Sequence, residues 1–291
     1  MSVEVFGTFV EAMKGRAPAG TPWANAVGTL VPGASRQATH LEAATGEMLP
    51  WISILSIRRE IAALGFGLDR WCDAFDAAPS RHAERWAPWV QGWRGLCHGQ
   101  PLSDSVLEGA FRTAQAAGDS VLVVELAALR ALTALADGAV DRGVQWARRG
   151  ARMARTESIL LSELLASWVL ARARRLSGCP HLSRHIIRAV APLLPAGWRP
   201  LWGVEAALSG SRQGSVGLSF RLDEWQRGNI RAHSLLGEDV ARFRFLTQEL
   251  DGLAGLVDKD AAPTAIAPSR FFGMVPDDSP YPCVVRYDGL Q

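Results

Sequence analysis

The feature that most limits what this chain can fold into is an apolar pattern with helical spacing that runs through most of its length. In the segment 120–136, leucine and alanine recur every three or four residues around Glu125 and Arg130, as in a helix that packs on two sides. The segment 161–176 repeats this pattern, and the segment 140–156 between them is amphipathic. We therefore expect an all-α protein.

Glycines divide this pattern at nearly regular intervals, each long enough for two helices. Each follows one apolar helical run and precedes another, which suits a residue in the left-handed conformation just after a helix. Asp119 and Ser103 are candidate N-caps of the helices that follow them. Self-similarity of this kind, with two helices per unit, is typical of a helical solenoid. The glycines are Gly65, Gly99, Gly138, Gly178 and Gly210.

Two aligned segments show the repeating unit most clearly: ALRALTALADGAVDRGVQWARRGARMA and WVLARARRLSGCPHLSRHIIRAVAPLL. A first helix, a turn with glycine and a second helix with small residues resemble tetratricopeptide repeats, in a degenerate form similar to that of MalT-type bacterial regulators. The resemblance covers roughly residues 49–210. It implies stacked helical hairpins with a concave surface that binds a protein, a peptide or a small ligand, and no chemistry of its own.

The ends of the chain differ from this middle region and suggest four parts. Residues 1–48 contain a first helix and an irregular segment rich in glycine and proline. The repeat region 49–210 is followed by further helices in 211–260. Residues 261–291 form a proline-rich tail that reads as an extended segment, with a turn near its end that indicates a possible β-hairpin. The predicted fold is therefore a stack of antiparallel helical hairpins with a short extended C-terminal segment.

Charge is distributed unevenly along the chain. The net charge is only +2, which does not suggest a polyanion-binding molecule as a whole. Residues 139–190 nevertheless contain ten arginines against Asp141, Glu157 and Glu163, a local net charge of +7. Guanidinium groups in such a cluster bind the oxygens of acidic peptides, phosphate groups or nucleic-acid backbones.

Five of these arginines form the predicted partner-binding surface. Three of them are spaced i, i+4, i+7 on one helix and two lie on the next. The alternative interpretation is a solvated helix face that is partly neutralised by carboxylates from elsewhere in the fold. The five are Arg148, Arg152, Arg155, Arg172 and Arg175.

One combination of residues has the spacing of a metal site. Cys179 stands at the start of a helix, and His181 and His185 follow on one face of it, a geometry that zinc can use. No fourth ligand is visible nearby, and Arg184 and Arg188 would repel a dication. Two exposed histidines at a helix entrance explain the pattern better, so we predict no metal and no cofactor.

Tryptophans form a second conspicuous pattern. Trp86, Trp89 and Trp93 are spaced i, i+3, i+7 and indicate either the core of a hairpin or the aromatic wall of a groove. Trp198 and Trp202 stand at a predicted corner between hairpins and allow the same two interpretations.

The remaining features favour a non-enzymatic protein of the bacterial cytoplasm. No HExxH, Cys-x-x-Cys or GxSxG motif occurs, and no segment has the apolar length of a membrane span. Glu4 and Glu11, without a basic leader, argue against a signal peptide, and four widely spaced cysteines suggest reduced thiols. We expect an adaptor or regulatory sensor that binds a protein or peptide. The alternative is the signal-receiving part of a bacterial transcription regulator that binds nucleic acid or a small ligand.

Overall fold

Helices form where the apolar pattern predicts them. The computed structural model describes residues 3–17, 19–31, 46–64, 67–78 and 83–209, of which 82% are helical and none lies in a strand. The all-α prediction is therefore confirmed for these residues, whereas the predicted helices in 211–260 and the extended tail lie outside them. The helices are α1 (Val3–Met13), α2 (Pro22–Val27), α3 (Leu49–Ala63), α4 (Leu68–Asp76), α5 (Ala87–Cys97), α6 (Asp104–Ala116), α7 (Ser120–Ala136), α8 (Val140–Thr156), α9 (Leu160–Leu176), α10 (Pro180–Val190) and α11 (Arg199–Leu208).

Helix boundaries in the middle of the chain agree with the predicted ones. Helices α7 and α8 span the predicted segments, and α9 begins one position before its predicted start. The Asp119 carboxylate accepts a hydrogen bond from the Leu122 backbone N–H at 3.0 Å, so it caps α7 as expected. Ser103 occupies the corresponding position before α6, but its side chain makes no capping bond.

The turns after α5, α6, α7, α8 and α9 share one hydrogen-bonding pattern. After α7, the Gly138 N–H donates to the Leu135 carbonyl at 3.1 Å, and the Ala139 N–H donates to the Ala134 carbonyl at 2.8 Å. This is the Schellman motif, which requires a left-handed residue after the helix. That residue is a glycine in four of the turns and Ser158, with φ 53°, after α8. The glycines are Gly99, Gly118, Gly138 and Gly178.

Helices α5 to α10 form a helical array, and these turns follow each of its first five helices, because each turn joins two single helices. Gly118, Gly138, Ser158 and Gly178 are evenly spaced along the chain. The predicted period was twice this spacing, since it counted only the first helix of each pair and the turn after α8 contains no glycine. The left-handed conformation expected at Gly99, Gly138 and Gly178 is confirmed, and Gly65 and Gly210 lie outside the described residues.

Successive helices pack closely, and largely buried helices alternate with helices that expose one face. All residues from Val121 to Leu135 of α7 are buried, and α9 is buried over most of its length. Helix α7 contacts α5, α6, α8 and α9. Helix α8 buries only small residues; a Cβ atom on its Gly143 would lie 2.6 Å from a Leu135 methyl carbon. Small side chains therefore let α8 approach α7 closely, and its charged face remains in solvent.

Aromatic side chains join the N-terminal helices to this helical array. Phe9 of α1 lies 4.8 Å from Trp51 of α3 and 5.3 Å from Trp86, measured between ring centroids. Trp198 donates a hydrogen bond to the Leu30 carbonyl at 3.2 Å, which links segments 168 residues apart. Helices α1 and α11 also contact α9. Because α7 and α9 are covered by neighbouring helices, the solvent-facing surface of the array is formed mainly by α6, α8 and α10.

Candidate functional site

Helix α8 presents three of the five predicted arginines to solvent. Arg148, Arg152 and Arg155 are all exposed, and their spacing places them along one face of the helix. The Arg155 side chain is 70% exposed and donates to the Glu163 carboxylate at 3.2 Å. The expected row of guanidinium groups on α8 therefore exists, and one of its three members is paired within the chain.

The other two predicted arginines lie in the interior. Arg172 and Arg175 of α9 are each 8% exposed, and the Arg172 guanidinium packs over the Trp168 ring. Arg175 donates two hydrogen bonds to the Glu205 carboxylate, at 2.8 and 3.1 Å, and this carboxylate also accepts from Ser183 at 3.4 Å. Arg175 therefore joins α9 to α11, and neither arginine shares the solvent-facing surface of α8.

Carboxylates pair with three of the ten arginines in the basic stretch, Arg142, Arg155 and Arg175. Besides the partners of Arg155 and Arg175, Asp104 of α6 lies 3.7 Å from the guanidinium of Arg142. Among the residues that the structure describes, no ion pair joins Arg148 or Arg152 to a carboxylate. These two arginines are the members of the predicted surface that are both exposed and unneutralised.

Helices α6, α7 and α8 share a stack of aromatic rings and guanidinium groups that the sequence did not reveal. The Arg130 guanidinium lies 3.9 Å from the centre of the Trp146 ring, and that of Arg149 lies 5.0 Å from the same ring. Phe111 meets Trp146 edge to face at 5.2 Å. Arg130 also pairs with Asp104 at 3.0 Å. The exposed Arg149 is thereby held against an aromatic surface in a defined position.

A cleft of about 240 Å³ opens beside this stack. Its floor is the first turn of α7 and its walls are the C-terminal turns of α6 and α8. The lining is apolar at Val123, Val124 and Met153. Polar and small residues complete the lining, namely Gln115, Gly118, Ser120 and Glu157. Sequence reasoning missed this cleft because its walls are three helices whose relative positions follow only from packing.

The tryptophan pattern belongs to the core. Trp86, Trp89 and Trp93 are fully buried, as are Trp198 and Trp202. Trp86 and Trp89 meet edge to face with ring centroids 5.5 Å apart. Of the two interpretations that the spacing left open, hairpin core is therefore confirmed, and these rings offer no wall to a ligand.

Glu125 is the centre of a buried polar network. Its carboxylate pairs with the Arg58 guanidinium and accepts hydrogen bonds from Trp89 at 3.0 Å and Ser162 at 2.5 Å. Burial lowers the pKa of the Arg58 guanidinium to about 9, which still leaves it charged at neutral pH. The network joins α3, α5, α7 and α9, and its groups are closed to solvent, so it serves packing rather than binding.

The three candidate metal ligands differ in exposure. Cys179 is partly buried, whereas His181 and His185 are exposed on α10. Across the residues that the structure describes, no three His, Cys, Asp or Glu side chains are arranged so that they could hold a metal ion.

No family model, curated protein or solved structure matches the chain. No helix in the described part of the chain combines the length and apolar content that crossing a membrane requires.

Proposed function

We propose that this chain is a non-enzymatic helical-repeat adaptor or regulatory sensor of the bacterial cytoplasm that binds an acidic protein or peptide segment on the exposed face of α8. The observation that carries the proposal is the pair Arg148 and Arg152. Both are exposed, and neither has a carboxylate partner among the described residues, whereas Arg58, Arg130 and Arg175 each have one.

The proposed architecture is a short stack of tetratricopeptide-like hairpins. Helices α5 and α6, α7 and α8, and α9 and α10 would form successive hairpins. The contacts between consecutive helices support this arrangement, as do the repeated Schellman turns. Such a stack forms an extended binding surface from successive repeats. Here α7 is enclosed by other helices of the same chain, which favours the second helix, α8, as the partner-binding element.

Exposed guanidinium pairs favour carboxylate or phosphate ligands for a geometric reason. Each guanidinium presents several N–H donors in a plane, and two of them one helical turn apart can hold successive acidic side chains. Arg148 and Arg152 stand at this separation. Arg172 and Arg175 are not used in this proposal, because both are buried.

The test is the binding of a short fluorescent peptide rich in aspartate and glutamate, measured by anisotropy at low and physiological salt. We expect binding that weakens with salt, as for solvent-exposed charges, and a loss on the order of tenfold in Arg148→Glu/Arg152→Glu, about 1.4 kcal/mol. The matched control is Arg70→Glu/Arg199→Glu, which changes the net charge equally at exposed positions on α4 and α11.

If both double variants lose the same peptide affinity, the effect comes from net charge alone and the proposed site is wrong. Binding of labelled DNA in place of the peptide, released by salt, would support the alternative function of a nucleic-acid-binding regulator. Circular dichroism of both variants confirms that neither substitution disturbs the helices.

A further inference from the structure

The cleft beside α8 is too small for a typical small-molecule or cofactor site. Such sites have volumes of roughly 300 to 1,000 Å³, and this one has about 240 Å³. It is also open at the surface between two helix ends. Its size and its apolar floor of Val123 and Val124 fit a single aliphatic side chain that projects from a longer ligand.

Two positively charged residues of α8 precede the cleft residue Met153 in the sequence. Arg149 precedes the cleft residue Met153 by one helical turn, and Arg152 is the immediate neighbour of Met153. Both arginines are exposed, and Arg149 is fixed by its stacking on Trp146 and on Phe111, whose ring centre is 4.9 Å from its guanidinium. A ligand that places an apolar side chain over Met153 therefore has the Arg149 guanidinium one turn towards the N-terminus of α8, and Arg152 on the adjoining face of the helix.

The opposite end of the cleft is negatively charged. Glu157 lies one turn beyond Met153, and α6 and α8 both end here, so their C-terminal carbonyl groups add partial negative charge. Acidic ligand residues are thus favoured at one end of the cleft and disfavoured at the other. A ligand with acidic residues on both sides of its apolar side chain would be repelled at Glu157.

We infer that this cleft, with Arg149 and Arg152, is a docking site for a peptide in which a run of acidic residues is followed by one aliphatic anchor side chain. The inference rests on the proposed function, since it specifies which acidic segment the α8 surface selects. The anchor would bury against Val123 and Met153, and the acidic run would contact the two arginines.

The experiment compares two labelled peptides, one with a run of aspartates followed by leucine and one with serine in place of the leucine. We expect the leucine peptide to bind about tenfold more tightly, the effect of partly burying one leucine side chain. In Gln115→Trp, where the large ring of an exposed residue fills the cleft, this difference should disappear. Gln145→Trp is the matched control, because Gln145 is exposed on α8 away from the cleft and should leave the difference intact.

The outcomes separate this inference from the proposed function. If both peptides bind equally and lose affinity in Arg148→Glu/Arg152→Glu, the anchor site is wrong and the arginine surface stands. If the leucine preference persists in Gln115→Trp, the anchor binds elsewhere and the inference is overturned. If neither peptide binds, both proposals fail.

Discussion

Arg58 of α3 and Glu125 of α7 form an ion pair in the interior although they are 67 residues apart in the sequence. Both side chains are almost completely inaccessible, at 1% and 0% exposure. Trp89 and Ser162 donate to the same carboxylate, so one acidic group satisfies donors from three other helices. A buried pair of this kind does little for net stability, but it disfavours arrangements in which either partner is buried alone.

Removing one member of this pair should therefore cost more than removing both. We expect Glu125→Leu to lower the free energy of unfolding by about 3–5 kcal/mol, because Arg58 is left charged and buried. Arg58→Met/Glu125→Leu should recover part of this loss. Urea denaturation followed by circular dichroism measures both; a double variant less stable than Glu125→Leu would show that the charge is not the cause.

Ser158 is the exception in the series of left-handed turn residues, and replacing it should stabilise the protein. A non-glycine residue with positive φ has its Cβ close to the backbone, at a cost of about 1 kcal/mol. Since Ser158 is exposed, Ser158→Gly removes this cost without losing packing, and we expect a gain of about 0.5–1 kcal/mol in unfolding free energy. Gly138→Ala in the equivalent turn is the reverse control and should lose about the same amount. No change in either variant would argue against the Schellman geometry.

Replacing two helical glycines by alanine should change the stability of the protein in opposite directions. A Cβ atom on Gly95 of α5 would lie 2.3 Å from the Gln100 carbonyl oxygen, which belongs to the backbone and cannot move aside easily. We expect Gly95→Ala to destabilise the protein by about 1–3 kcal/mol. Gly109 of α6 is exposed with no atom within 4 Å of its Cβ position, so Gly109→Ala should stabilise by about 1 kcal/mol through helix propensity. Thermal unfolding of the two variants checks both expectations. Equal shifts in melting temperature would contradict the close approach of Gly95 to the Gln100 carbonyl.

The thiols of α4 and α5 should be unreactive in the folded protein. Burial raises the pKa of Cys72 and of Cys97 to about 12, from an ordinary value of 9.0. Alkylation by iodoacetamide at pH 8, mapped by mass spectrometry, should be slow at both cysteines, because the thiolate is the reactive form. Unfolding in urea should restore ordinary rates, and equally fast labelling in the folded state would show that these thiols are open to solvent.

The same shifts predict a loss of stability at alkaline pH. Below pH 9 both states hold the proton, and the contribution of the thiols is fully present. Between pH 9 and about pH 12 the unfolded chain releases protons that the folded chain keeps, so the free energy of unfolding falls as the pH rises. Cys72→Ala/Cys97→Ala should show a shallower decline over this interval than the parent protein, and an identical slope would exclude the thiols as its source.

Local sequence determined much of this molecule. The bounds of α7 and α8, the cap at Asp119 and the left-handed glycines after α5, α7 and α9 all depend on residues within a few positions of one another. The spacing of Arg148, Arg152 and Arg155 also follows from helical geometry alone. Such features are predictable because helical hydrogen bonds and caps connect residues no more than about six positions apart.

Tertiary structure decided which faces are covered and which charges remain. The sequence does not show that Glu205 reaches Arg175, that Asp104 reaches Arg130, or that Arg149 stacks on Phe111, because each contact joins helices brought together by packing. Helical spacing predicts which residues share a helix face, but it does not predict whether another helix will cover that face. The physical reason is that burial belongs to the whole assembly of helices, since each apolar face is satisfied by whichever neighbour fits closely against it.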